Sequence, residues 1–331
     1  MKNKLLLGLA TATILAVGSD ALINTTINQP QVLLAAKTKK KHHKKRQAAK
    51  YRPRLLKKHP AYIIGQSSLP DAKSLINTGK LPKGTHYSWK KKPEINQPDS
   101  YSSGDAKIKV TYPDHSVDIV PISFKLYGKN EMVMPIDYKL EDVAQADQTD
   151  HATDKLKKAT EEGMDSNIFI AESPADDKEK VDFYHLTNDQ KKRLNDFAVE
   201  LINEARAALG APSVSTDDEV LAAADRVVSE YNHDHYAYDA GHDVDGLHRA
   251  LDSYGGWAED MDCQYTKPKN MTEMKEFVYN SIMAYLFNTI SWEWHHAASI
   301  AGTDGGELSR VAVSYTKAAD DMYVTHFIFL P

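Results

Sequence analysis

The chain is 331 residues long and 26% charged, with a formal net charge of −5 and a mean hydropathy of −0.52. Those values exclude a multi-span membrane protein, and a single cysteine, Cys263, excludes any intrachain disulfide framework. The length suits two modest domains with tails.

Charge is placed unevenly. Residues 37–58 hold 12 Lys or Arg and no Asp or Glu, whereas residues 59–331 hold 27 basic and 45 acidic residues, a formal charge of −18. A basic arm therefore precedes an acidic body.

In chain order, Lys2 and Lys4 precede an apolar run from Leu5 to Val17, too short to span a bilayer comfortably. Residues 1–36 read as a secretion signal, cleaved after Ala21 or near Ala35–Ala36, with an uncleaved anchor as the alternative. Export without disulfides points to a Gram-positive bacterium, and the missing sorting motif points to noncovalent retention at the surface. Residues 37–60 read as a disordered, solvated linker. Its cations, among them Lys39, Lys40, Lys41, Lys44, Lys45 and Arg46, suit an electrostatic tether to an anionic wall polymer such as teichoic acid. A nucleic-acid-binding arm would have the same composition.

From residue 61 to 127 the pattern changes to strands and turns. Ile108, Val110 and Tyr112 alternate with Lys107, Lys109 and Thr111, predicting a half-buried strand. A turn at Pro113–Ser116 leads to a second predicted strand over Val117–Leu126, which Pro121 marks as an edge or bulged strand. Leu81-Pro82-Lys83-Gly84-Thr85, Tyr87-Ser88-Trp89-Lys90 and Val110-Thr111-Tyr112-Pro113-Asp114 resemble the Rib repeat of bacterial surface proteins. That resemblance implies a small Ig-like β module acting as a spacer. Histidine stands at position 115, where the repeat usually has glycine.

Residues 128–185 read as an acidic linker and N-terminal extension, with Leu140, Val143 and Leu156 able to support short helices. The helical region proper spans 186–331. Thr187 and Gln190 fit a capping box, a periodic stripe from Leu194 to Leu209 follows, and Gly210 ends the helix. Thr216 with Glu219 is read as the cap of a second helix carrying Val220, Ala224, Val227 and Tyr231. A third stripe runs Met274, Phe277, Val278, Ser281, Ile282 and Tyr285, and Val311–Tyr315 and Tyr323–Leu330 are predicted strands.

Leu201-Ile202-Asn203 with Arg206, Gly241-His242-Asp243, Gly256-Trp257-Ala258-Glu259 and Trp294-His295-His296-Ala297 occur in an order that resembles the CAP (SCP-like) superfamily. The surface exclusion branch of lactobacilli and enterococci is the nearest in pattern, with the resemblance starting near residue 150. It implies an α+β fold: a CAP-like α-β-α sandwich at the C-terminus, after the Ig-like module and the basic segment. It also implies that His242, Glu259 and His296 share a cleft. His235 is the rival of His242. Neighbouring helix residues diverge by about 100°, so only one of His295 and His296 can enter. Glu276 or Glu293 are the candidates for a second glutamate, and Asn203 and Arg206 read as structural.

His242 and His296 would be the ligands of any zinc or other divalent cofactor. Walker, Rossmann, HExxH and paired-cysteine signatures are absent, and no cysteine–histidine signature surrounds Cys263. The leading expectation is a nonenzymatic surface protein that binds a ligand or partner, in adhesion or mating interference. The alternatives are a metal-dependent hydrolase using the His/Glu/His cleft, and wall-polymer or nucleic-acid binding through the basic arm.

Overall fold

The computed structural model describes residues 46–65, 68–95, 101–102, 104–287 and 293–331. The signal segment and most of the basic arm, including Lys39, Lys40, Lys41, Lys44 and Lys45, lie outside these residues.

The N-terminal module opens with a single helical turn, α1 (Gln47–Lys50), and contains β1 (Ala61–Ile63), β2 (His86–Lys91), β3 (Lys107–Thr111), β4 (Val117–Pro121) and β5 (Lys125–Tyr127). Strands β2-β3-β4 form one antiparallel sheet, and β1 pairs with β5 in parallel. Alternation in β3 works as expected, burying Ile108 and Val110 in a core with Val120, Phe124 and Leu126. The predicted long strand from Val117 to Leu126 is instead two strands. Pro121, which has no N–H to donate, ends β4 at the edge of its sheet. His115 takes a left-handed turn position with φ 63°, the conformation that favours glycine.

The linker reading fails over its second half. Residues 46–60 belong to the folded module: Tyr51 stacks on Tyr112 with ring centroids 5.8 Å apart, Leu55 bridges Ile76, and the Asn77 amide donates to the Arg54 carbonyl. The many cations mask the alternation of Tyr51, Pro53 and Leu55 facing inward.

The 128–185 segment is likewise more extension than linker. It forms α2 (Leu140–Thr149) and α3 (Asp154–Ser166), whose Val143, Ala146, Leu156 and Ala159 enter the main core. Val143 and Leu156, read from the sequence as supports of short helices, lie on this buried stripe, and the acidic residues lie on the outer faces. The Tyr138 hydroxyl donates to the Leu286 carbonyl. Gly163 has Phe287 so close that a Cβ would lie 2.4 Å from the ring. Two further contacts tie this segment to the β module. Ile170 enters the module's core, and Asp177 accepts from Lys125, Tyr127 and Thr272.

The remainder comprises α4 (Asn188–Leu209), α5 (Asp218–Asp234), α6 (Val244–Leu251), β6 (Ala258–Gln264), α7 (Met271–Phe287), α8 (His295–Ala301), β7 (Arg310–Lys317) and β8 (Tyr323–Leu330). The capping box forms on α4, and Gly210 closes it at φ 73°. On α5 the cap is Asp217, not Thr216: its carboxylate accepts from the Val220 amide. A charged acceptor beside the helix N-terminus outcompetes the hydroxyl. Strand β8 is central in the antiparallel order β6-β8-β7. Val311, Val313, Phe327 and Phe329 face α4, α7 and α8, whereas Met261, Ala312, Val324, Ile328 and Leu330 face α5 and α6. The result is an α-β-α sandwich with two cores.

Candidate functional site

Strand β6 had no strand signature in the sequence, since Ala-Glu-Asp-Met-Asp-Cys-Gln reads as a polar loop. Its place at the sheet edge makes the site. Glu259 pairs with Ile328 and Met261 with His326, while Asp260 pairs with Phe327. Directly opposite residues of an antiparallel pair share a face. Glu259 therefore faces α5 and α6, and Asp260 faces α7 and α8.

On the first face, the Glu259 carboxylate is almost wholly enclosed, its side chain 1% exposed. Oε1 lies 2.7 Å from His326 Nδ1, and Oε2 lies 2.8 Å from both His242 Nδ1 and the Tyr231 hydroxyl. A carboxylate accepts, so both imidazoles present Nδ1–H to it. Thr316 Oγ1 stands 2.7 Å from His326 Nε2, which completes that ring's bonding. Nε2 of His242 then carries a lone pair, the tautomer that a carboxylate partner typically enforces on a ligand-binding histidine. Burial pushes the Glu259 carboxyl up, but the hydrogen bonds and charges of His242 and His326 outweigh it and bring it to about 2. The Glu259 bond in turn raises His242 against the opposing effect of burial.

The backbone around His242 is fixed. Asp243, next in sequence, caps α6 by accepting from the Gly246 amide, and its own amide donates to the Tyr231 hydroxyl. Gly246 is required there, because a Cβ would sit 2.4 Å from Asp243 Oδ2.

On the opposite face, His296 lies 6.4 Å from His242 between ring centroids and 5.0 Å from Tyr285. Its Nε2 is buried without a hydrogen-bond partner, 3.9 Å from Asp260 Oδ1 and 3.8 Å from Glu293 Oε1. Burial lowers His296 and, with the Glu259 charge, raises Asp260 well above the usual carboxylate range. His296 is thereby biased toward the neutral imidazole and Asp260 toward the protonated carboxyl. The short helix α8 that carries His296 is anchored by Arg206, whose guanidinium donates to the carbonyls of Ile300, Ser299 and Pro212. Gly302 ends α8 at φ 77°, packed so tightly on that guanidinium that a Cβ would lie 2.9 Å from Arg206 Cζ.

The structure thus brings His242, Glu259 and His296 together, with Glu259 behind His242 and not open to the cleft. His295 turns away to Asp147, and His235 is an exposed residue at the end of α5. Of the two candidate glutamates, Glu293 borders His296, whereas Glu276 lies on α7 beside Glu273. Asn203 bonds both backbone groups of Val214. The Cys263 thiol is raised by burial, which disfavours a nucleophilic thiolate. Sequence reading missed His326, Tyr231 and Asp260. A histidine among the apolar residues of β8 was the available signal.

The donors at the cleft are of the right type for a divalent cation but do not close around one. Among the described residues, the only three His, Asp or Glu ligand atoms within 4.8 Å of one another belong to Glu230, His233 and Asp234. There Arg249 already donates to Glu230 and Asp234. Two histidines without a third close ligand fall short of a catalytic zinc site.

Residues 47–127 match the Rib domain family. Among solved structures, the CAP domain of enterococcal PrgA is similar at 18% identity and a TM-score of 0.50, covering 61% of this chain and 85% of that one. The Rib domain R28N of Streptococcus pyogenes shares 32% identity over 24% of this chain and 96% of its own, with a TM-score of 0.21. An SCP-domain extracellular protein of Bacillus anthracis shares 15% identity over 44% of each chain, with a TM-score of 0.26. No curated protein matches the chain in sequence. The chain is a CAP-fold domain preceded by a Rib module. The Rib match starts at residue 47, inside the stretch that composition marked as linker. Among the described residues no helix is long and apolar enough to cross a membrane.

Proposed function

We propose that this is an extracellular surface protein whose CAP-type cleft recognises a ligand or partner without turning it over, and whose basic N-terminal region holds it to an anionic wall polymer. One observation carries the cleft reading: both Glu259 oxygens are committed to His326, His242 and Tyr231. A carboxylate so engaged is unavailable to activate water, and its role is to set the tautomer and orientation of His242. What remains for a ligand is His242 Nε2 and the Glu293 carboxylate, beside the buried, partnerless His296 Nε2, a set suited to hydrogen bonding. The Rib module suits a spacer between the wall and the cleft. Adhesion and interference with mating aggregates are the roles compatible with this arrangement.

The test pairs a binding screen with a panel of ester, peptide and phosphodiester substrates, run on the wild type and on His296→Ala. Ligand binding that weakens in the variant, with no turnover by either protein, supports the reading. Turnover lost in His296→Ala would replace it with the hydrolase.

A further inference from the structure

The wall-polymer reading spread the binding charges over residues 37–58. We propose that the folded Rib module itself carries a phosphodiester-polymer site, in the groove formed by Lys50, Arg52, Arg54 and Lys80; the inference rests on that reading and localises it. The groove has a volume of about 360 Å³ and is lined by these four cations with Tyr51, Asn77 and Leu81, and by no acidic residue.

The geometry is built and not incidental. From Tyr51 the chain runs extended, with Tyr51, Pro53 and Leu55 half-buried and Arg52 and Arg54 exposed. Alternate side chains of an extended segment repeat every ~6.8 Å along one face. Arg52 and Arg54 are therefore presented one such interval apart on the same side, with Lys50 at the end of α1 and Lys80 on the facing turn completing the groove. The segment is fixed from behind. Tyr51 stacks on Tyr112, and Leu55 bridges Ile76. The amides of Leu56 and Asn77 donate to the carbonyls of Leu75 and Arg54, at 3.0 and 2.8 Å. This backbone pairing brings Arg54 alongside Asn77 and the turn carrying Lys80. Several exposed cations elsewhere on the chain are engaged, as in Lys91 with Asp105, Lys129 with Glu200 and Glu204, and Arg249 with Glu230 and Asp234. No ion pair joins Arg52, Arg54 or Lys80 to any carboxylate among the described residues. Four like charges held together without counter-charges disfavour the empty groove and favour an anion in it.

The same geometry selects among polyanions. Single-stranded nucleic acid binding combines cations with aromatic faces on which bases stack. Tyr51 is the only aromatic residue in this groove; its ring is stacked on Tyr112 and also has Lys50 Nζ 5.3 Å from its centroid. The groove therefore fits a base-free chain, a polyol joined by phosphodiesters.

The experiment uses the full chain and measures its affinity for purified poly(glycerol phosphate), inorganic phosphate and a single-stranded oligodeoxynucleotide across a sodium chloride series. The wild type is compared with Arg52→Gln/Arg54→Gln/Lys80→Gln, and with Lys83→Gln/Lys90→Gln/Lys92→Gln as a charge-matched control on the same module. Polymer affinity is expected to fall at least tenfold in the groove variant and much less in the control. The slope of log affinity against log salt should drop by about 2, for three contacts at ~0.7 each on a single strand. The Arg52→Lys/Arg54→Lys variant should restore most of the affinity, which separates lost charge from lost folding. Equal losses in groove variant and control overturn the site while leaving diffuse wall attachment standing. A wild type that binds no polymer overturns both, tighter binding of the oligonucleotide than of the polymer overturns the ligand class, and inorganic phosphate binding as tightly as polymer makes the site one for a free anion.

Discussion

Glu259 and Asp260 are consecutive in the chain and serve opposite faces of one sheet. Glu259 bonds His242, His326 and Tyr231 under α5 and α6, and Asp260 lies 3.9 Å from His296 Nε2 under α8. The edge strand β6 is thus the partition between the two histidines, and the cleft is where they meet around it. One carboxyl is lowered by its bonds to two imidazoles; the other, one residue on, is raised by burial and by its neighbour's charge.

Removing Glu259 should be costly. Glu259→Ala leaves His242, His326 and Tyr231 without their acceptor inside the sheet, and breaking a buried charged network costs about 3–5 kcal/mol. Urea unfolding of the variant measures it; a loss below ~1 kcal/mol would mean that the network contributes little. A double-mutant cycle with His326→Gln should give a coupling of about 0.5–3 kcal/mol, since the two side chains are in direct contact.

The histidines should titrate on opposite sides of their ordinary 6.5, His242 above it and His296 below it. Histidine ring resonances followed by NMR against pH check this, and Glu259→Gln should bring His242 back down. Because His242 is raised, its contribution to stability is complete below pH 6.5 and is lost as pH rises through the folded value. His296 acts in reverse: the unfolded chain takes up its proton more readily, so this term weakens the fold as pH falls below 6.5. Glu259, at about 2 against an ordinary 4.5, contributes fully above 4.5. That contribution drains away as pH falls toward 2, which an acid-unfolding curve should register and Glu259→Gln should flatten.

Arg206 is expected to hold the cleft open to its ligand by fixing α8. Arg206→Met removes three hydrogen bonds to backbone carbonyls, that of Ile300 fully buried, and should cost about 2–4 kcal/mol, since each bond from a charged donor is worth ~1 kcal/mol or more. Gly302→Ala should destabilise by about 1–3 kcal/mol, because φ 77° disfavours any side chain and the added methyl meets the guanidinium. Thermal unfolding reports both, and either variant should weaken ligand binding before it unfolds the domain.

Domain boundaries set by the core should outperform those set by composition. A fragment starting at 150 lacks Tyr138, Val143 and Ala146, and one starting at 59 lacks Tyr51 and Leu55, all of which pack into the cores. Fragments 46–127 and 129–331 are expected to give sharper, higher-temperature unfolding transitions than 59–127 and 150–331. Equal transitions would show that these segments dock without stabilising.

Sequence alone determined what local chemistry governs: the capping box at Thr187 and Gln190, the stop at Gly210, the alternation of β3, the stripe of α7 and the divergence of His295 from His296. Each depends on residues a few positions apart, where backbone period dictates direction. A pattern overwritten by charge was not legible in the inward row of Tyr51, Pro53 and Leu55, whereas Val143 and Leu156 already marked the short helices α2 and α3. Tertiary structure alone decided that Ala258–Gln264 is a strand, because its partner residues on β8, from Phe329 to Tyr323, are distant in sequence. It alone placed His326 and Tyr231 on Glu259, turning a supposed cleft carboxylate into the support of His242. Register between distant strands chooses which face a side chain takes, and no local pattern carries that choice.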